Sequence, residues 1–149
     1  MNISPQEVLK YINLAREYPK YYVALIDEQL NSFIDSINIK LDEEIVYETI
    51  EGKSAWENAK QFLIDQEPLR PFDHHEGLFK ASSDHARDIM SNNSSGHVGS
   101  DGSTFIDRLQ RYCKKGKGSM IELLGTTYLI NDKNSIELAL INLIIDDGV

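Results

Sequence analysis

The chain has 149 residues, one cysteine, and 15 basic against 24 acidic side chains, a formal charge of −9. That length suits one ordinary domain. A balance this acidic argues against tracking the phosphates of nucleic acid, which takes clustered cations. No apolar run approaches the roughly 18 residues of a membrane span, and Cys113 alone excludes both an internal disulfide framework and a zinc site of two or more thiolates.

The charge is uneven: residues 1–75 carry 7 basic and 14 acidic groups, and residues 76–149 carry 8 and 10. Met1 to Pro5 lack the basic and apolar regions of a secretory signal, so the chain as given is expected in the cytoplasm.

Hydrophobic periodicity predicts helices around 5–17, 20–34, 54–66, 77–91, 103–114 and 134–146. In the first, Val8, Tyr11, Ile12 and Ala15 share a face. Pro19 breaks that run and suits the first turn of the second, where Tyr22, Ile26, Leu30 and Phe33 line up. Ile37, Ile39 and Leu41 alternate with polar neighbours, a weak strand signal. Asp42, Glu43 and Glu44 read as a solvated face. Ser54 and Glu57 have capping-box spacing before Trp56, Ala59, Phe62 and Leu63. Pro68 and Pro71 open a loop in which His74 and His75 read as surface histidines.

In the fourth helix Leu78, Ala81, His85 and Ile89 share a face, so His85 points inward, as a hydrogen-bonded core histidine or as the wall of a site. Residues 91–103 form a polar, glycine-rich loop that either holds His97 on a fixed bend or simply connects. Ser103 is placed to cap the fifth helix, with Phe105, Leu109 and Tyr112 or Cys113 inward. Arg108, Arg111, Lys114, Lys115 and Lys117 form a basic patch on its outside and just beyond. Glu122 interrupts an apolar run, so it either turns outward or is buried with a partner. The last helix, capped by Asn134 or Ser135, is apolar nearly all round and belongs in the core. Asp146 and Asp147 stand at its end against the helix dipole, as a cap in water or as a functional pair. The predicted core is Trp56, Phe62, Leu63, Leu78, Ile89, Phe105, Leu109, Leu140, Leu143 and Ile144.

Several segments together resemble one family. They are Tyr11-Ile12-Asn13-Leu14-Ala15-Arg16, residues 78–90 around Ser83-Asp84-His85-Ala86, Gly96-His97-Val98-Gly99-Ser100-Asp101-Gly102-Ser103 with Arg108 following, Gly118-Ser119-Met120-Ile121-Glu122, and Leu143-Ile144-Ile145-Asp146-Asp147-Gly148-Val149. In order and spacing the chain is similar to the CAP, or SCP-like, domain of cysteine-rich secretory proteins, antigen 5 and pathogenesis-related proteins, in its cysteine-poor microbial branch. Members of that family are often secreted.

The resemblance implies a helix-rich α/β fold, a three-layer α-β-α sandwich. It also implies a cleft of two histidines and two acids able to take zinc or another divalent cation. His97 matches the first cleft histidine, Glu122 matches the acid of the family's G-E-N motif, and Asp146 or Asp147 lies near the second acid. His97 and Glu122 are then the metal candidates, and His85 joins the cleft by its inward face. Leu123 stands where the family has Asn. The second histidine and the closing strands would follow Val149, so the expectation is a single domain over 1–149, C-terminally truncated, with weak cation binding. The function implied is a non-enzymatic binding domain for a small ligand, lipid or protein, with self-association through an uncovered C-terminal face. The alternatives are a metal-dependent hydrolase, with Glu122 as general base, and a truncated structural or regulatory paralogue without cleft chemistry.

Overall fold

The computed structural model describes residues 4–40, 43–114, 119–125 and 135–146. Among them are six helices and one small antiparallel sheet. The helices are α1 (Pro5–Glu17), α2 (Pro19–Leu30), α3 (Lys53–Asp65), α4 (Glu76–Asn92), α5 (Phe105–Tyr112) and α6 (Ser135–Ile145). The strands are β1 (Asn38–Lys40) and β2 (Val46–Glu48). No helix among the described residues is long and apolar enough to cross a membrane.

The chain divides into two compact units, residues 8–72 with 125–149, and residues 1–7 with 73–124. In the first, Tyr22 and Ile26 of α2, Ala55, Trp56, Ala59 and Leu63 of α3, and Leu140, Ile141 and Ile145 of α6 form one buried cluster. Burial of large apolar side chains at this density supplies most of the drive to fold. Trp56 meets Phe33 edge to face at 5.2 Å between ring centroids and donates its indole N–H to Gln29 Oε1 at 3.1 Å. Glu137 is buried on the mostly apolar α6 and accepts a 2.6 Å hydrogen bond from the Tyr21 hydroxyl.

The polar segment after α3 straps back onto α1. Leu69 N–H donates to Arg16 O at 2.7 Å, and Asn13 exchanges hydrogen bonds with the Phe72 backbone at 3.0 and 2.7 Å. The Arg16 guanidinium lies over the Phe72 ring, 3.7 Å from its centroid. Asn13 and Arg16 thus hold the strap.

Several expectations are corrected. The second helix stops at Leu30, not residue 34. The Asp35 carboxylate accepts from the backbone N–H of Ile37 and Asn38, an Asx turn that swings the chain into β1. Ser54 makes no capping box: α3 begins one residue earlier on Gly52, and the Ser54 hydroxyl donates to Glu51 O. Ser103 is spent in a turn, and Thr104 caps α5 in a reciprocal capping box with Asp107. Phe62 is exposed, because α3 turns its Ala55–Ala59–Leu63 stripe inward and leaves Phe62 at the edge. Leu78 is exposed too; α4 buries the stripe Gly77–Ala81–His85. Ile89, Phe105, Leu143 and Ile144 are half-buried, whereas Trp56, Leu63, Leu109 and Leu140 are buried as predicted. Asn134 lies outside the described residues.

Candidate functional site

In the unit built from α4 and α5, the loop between these helices is pinned at several points. Asn93 ends α4 in the left-handed conformation with φ 47°, and Gly96 takes φ 90°, a backbone state that L side chains rarely adopt. At Gly99 a Cβ would lie 2.7 Å from Ser103 Oγ and 2.8 Å from Asp101 Oδ1, so a side chain there would have to displace both groups from the turn closed by the Gly99 N–H to Ser103 O bond. From α4, Asp88 accepts hydrogen bonds from both the backbone and the hydroxyl of Ser100. Those bonds hold the Asp88 carboxyl below its usual range. Asp101 is lowered likewise by Ser103 and by Arg111 at 2.8 Å.

His97 sits on this fixed bend. The buried His85 donates from Nε2 to the carbonyl of Gly96 at 3.0 Å, the residue just before it. Arg108 donates from Nη2 to the His97 carbonyl at 3.0 Å and from Nη1 to Ser103 O at 2.9 Å. Two helices therefore grip the loop from beneath, which is the role the structure gives His85.

Arg108 is the residue that sequence reasoning misplaced. It was expected in an outer basic patch, yet its side chain is only 3% exposed. The signal was present: Arg108 falls on the helical face of Phe105 and Leu109, the face that turns inward, although Tyr112 further along it is exposed. Its Nη2 lies 2.8 and 3.0 Å from the two oxygens of Glu122. Glu122 Oε2 also accepts from His97 Nδ1 at 2.8 Å, and because a carboxylate only accepts, Nδ1 carries the proton of that bond. Burial alone would raise the Glu122 pKa; the hydrogen bonds from Arg108 and His97 outweigh it and hold the carboxyl below its ordinary range. Glu122 is thus turned inward onto partners and largely out of water, its side chain 13% exposed, while that of His97 is 60% exposed.

The structure brings His97, Glu122 and Arg108 together, with His85 beneath the loop. Asp146 belongs to the other unit, where it takes φ 57° and closes α6 by donating its N–H to Asn142 O at 3.0 Å. That is the geometry of a left-handed helix end. Asp147 lies outside the described residues. His74 and His75 are surface residues: His75 Nδ1 caps α4 by accepting from Leu78 N–H at 3.3 Å, and His74 pairs with Glu76 at 3.2 Å.

A divalent cation would need several free donors. Glu122 already meets a fixed guanidinium with both oxygens, and His97 commits Nδ1 to the same carboxylate. Among the described residues, no three His, Cys, Asp or Glu side chains converge. This donor set does not fit a zinc ion, whose sites take three or four ligands.

Glu122 turns inward while its neighbours turn out: Ile121 is 80% exposed and Leu123 72%. Val98, next to His97, and Met120 are also exposed. The cluster is therefore one exposed imidazole on a largely buried ion pair, flanked along the chain by apolar side chains. A groove of about 350 Å³ belongs to the other unit, lined by residues that include Phe33, Ile34, Lys40 and Glu43. No family model, no curated protein and no solved structure matches the chain.

Proposed function

We propose that this chain is a binding module of the CAP type, with the three-layer α-β-α arrangement that its sequence resemblance implies, and that it engages an amphiphilic small ligand such as a lipid at the His97 face. The observation that carries this is the Arg108–Glu122–His97 chain of hydrogen bonds. It holds an exposed imidazole in one orientation at no further ordering cost on binding, which is what a recognition group needs. The flanking Val98, Ile121 and Leu123 offer apolar area beside a polar anchor, the combination expected of a ligand-binding surface. The hydrolase alternative asks Glu122 to accept a proton from water. A carboxylate held by a buried guanidinium, with its pKa lowered, is a poor base.

The test is an NMR titration of the isotopically labelled chain with a monomeric lysophospholipid, repeated with His97→Ala. The expected result is a set of shifts centred on residues 96–99 and 121–123 that weakens in the variant. Shifts that avoid both segments, or that survive His97→Ala undiminished, would overturn the proposal.

A further inference from the structure

In the unit of residues 8–72 and 125–149, a short ribbon runs from Phe33 through β1 to β2. Phe33 bridges Ile39, and β1 pairs with β2 in the register Asn38–Glu48, Ile39–Tyr47, Lys40–Val46. Ile34 N–H donates to Asn38 O and Lys40 N–H to Ser32 O, so the backbone groups of Asn38 and Lys40 face the Phe33 side. Backbone polar groups alternate in direction along a strand, so Ile39 must face β2 and bond with Tyr47. The Thr49 N–H to Ile37 O bond at 2.8 Å fits the same phase. It follows that the N–H and C=O of Val46 and Glu48 point away from β1. The sheet has two strands among the described residues, and β2 is its outer one.

All three residues of β2 are exposed, Val46 at 52% and Tyr47 at 43%. The buried Ile39 lies opposite Tyr47, so that face of the ribbon is apolar. The opposite face carries Val46 and Glu48. Glu43 and Glu44 precede the strand, Lys40 is the cation of the pair of strands, and this half of the sequence is strongly acidic. Edge strands are usually blunted by lysine, proline, a bulge or a covering element. Here the strand is short, and the charge set on it is negative.

We propose that the outer edge of β2 docks an extended segment of a partner protein in which apolar residues alternate with Lys or Arg. Such a segment would pair its backbone with Val46 and Glu48, as in strand addition. Its apolar side chains would continue the Ile39–Tyr47 face, and its cations would meet Glu48 and Glu43. A second copy of this chain is a poor occupant, because edge-to-edge pairing would bring the same acids together. This docking edge is independent of the His97 face.

The experiment measures fluorescence anisotropy of a labelled peptide of alternating Lys and Val, and of its Glu and Val counterpart, against the full chain. Three variants accompany it: Val46→Pro, Glu48→Lys and His97→Ala. Proline at 46 deletes an outward N–H and leaves the Ile39–Tyr47 bonds in place, so the hairpin signals in NMR should persist. The Lys peptide should bind and protect the Val46 and Glu48 amides from exchange, and the Glu peptide should not. Val46→Pro should weaken binding about tenfold, Glu48→Lys should lower the preference for the Lys peptide, and His97→Ala should change nothing. Failure of the Lys peptide to bind, equal binding of both peptides, full binding to Val46→Pro, or concentration-dependent protection of the edge without peptide would overturn the proposal.

Discussion

Arg108 and Glu122 form an ion pair in which one guanidinium nitrogen reaches both carboxylate oxygens, at 2.8 and 3.0 Å, with both side chains largely out of water. The pair does two things at once. It ties the irregular segment 119–125 to α5, and it supplies the acceptor on which the His97 ring is seated.

Removing one partner of such a pair leaves the other charge unmatched. Arg108→Ala should therefore destabilise the protein by about 3–5 kcal/mol in chemical denaturation. The double variant Arg108→Met with Glu122→Gln should recover a large part of that loss, since neither buried charge then remains. A single variant within about 0.5 kcal/mol of the parent would show that the pair is solvated.

The same pair sets an acid limit. The folded-state pKa of Glu122 is lowered, so its contribution to stability is complete above the ordinary glutamate range, about 4.3. That contribution is lost as pH falls through the depressed native value. Asp88, lowered by Ser100, acts in the same direction. Denaturation midpoints followed from neutral pH to pH about 3 should fall, and less steeply in Glu122→Gln, in which this linkage is gone.

Core and edge can be separated on the two helices that pack together. Leu140→Ala should cost about 2–5 kcal/mol, because Leu140 is buried in the α2–α3–α6 cluster. Phe62→Ala should change stability by no more than about 0.5 kcal/mol, since its ring is exposed. Thermal or urea unfolding of the two variants side by side checks both expectations.

Capping gives a similar contrast. Thr104→Ala breaks a reciprocal box with Asp107 and should cost about 1 kcal/mol. Ser54→Ala removes only a hydroxyl bond to Glu51 O on the surface and should cost a few tenths of that.

These contrasts show what the sequence carried. The helices were legible because apolar residues recur at helical spacing, and α1 and α6 lie within a residue of where periodicity puts them. The ends were less legible, because Asp35 and Gly52 act through backbone turns that share no periodic signal. His97 and Glu122 stood out as a histidine on a glycine-rich bend and an acid in an apolar run, and the structure seats one on the other. Arg108 was misread since a cation among cations suggests a surface, although its helical phase placed it inside. Phe62 was misread for the converse reason: an aromatic beside a buried stripe need not belong to it.

The proton on the His97 ring reports directly whether Glu122 holds that ring as an oriented recognition group. Long-range nitrogen–proton NMR on the labelled chain distinguishes Nδ1–H from Nε2–H. The Nδ1–H form is expected in the parent protein, lost to the Nε2–H form or a mixture in Glu122→Ala, with the ligand-induced shifts at residues 96–99 weakened in parallel. A parent ring that already carries its proton on Nε2, unchanged by Glu122→Ala, would contradict it.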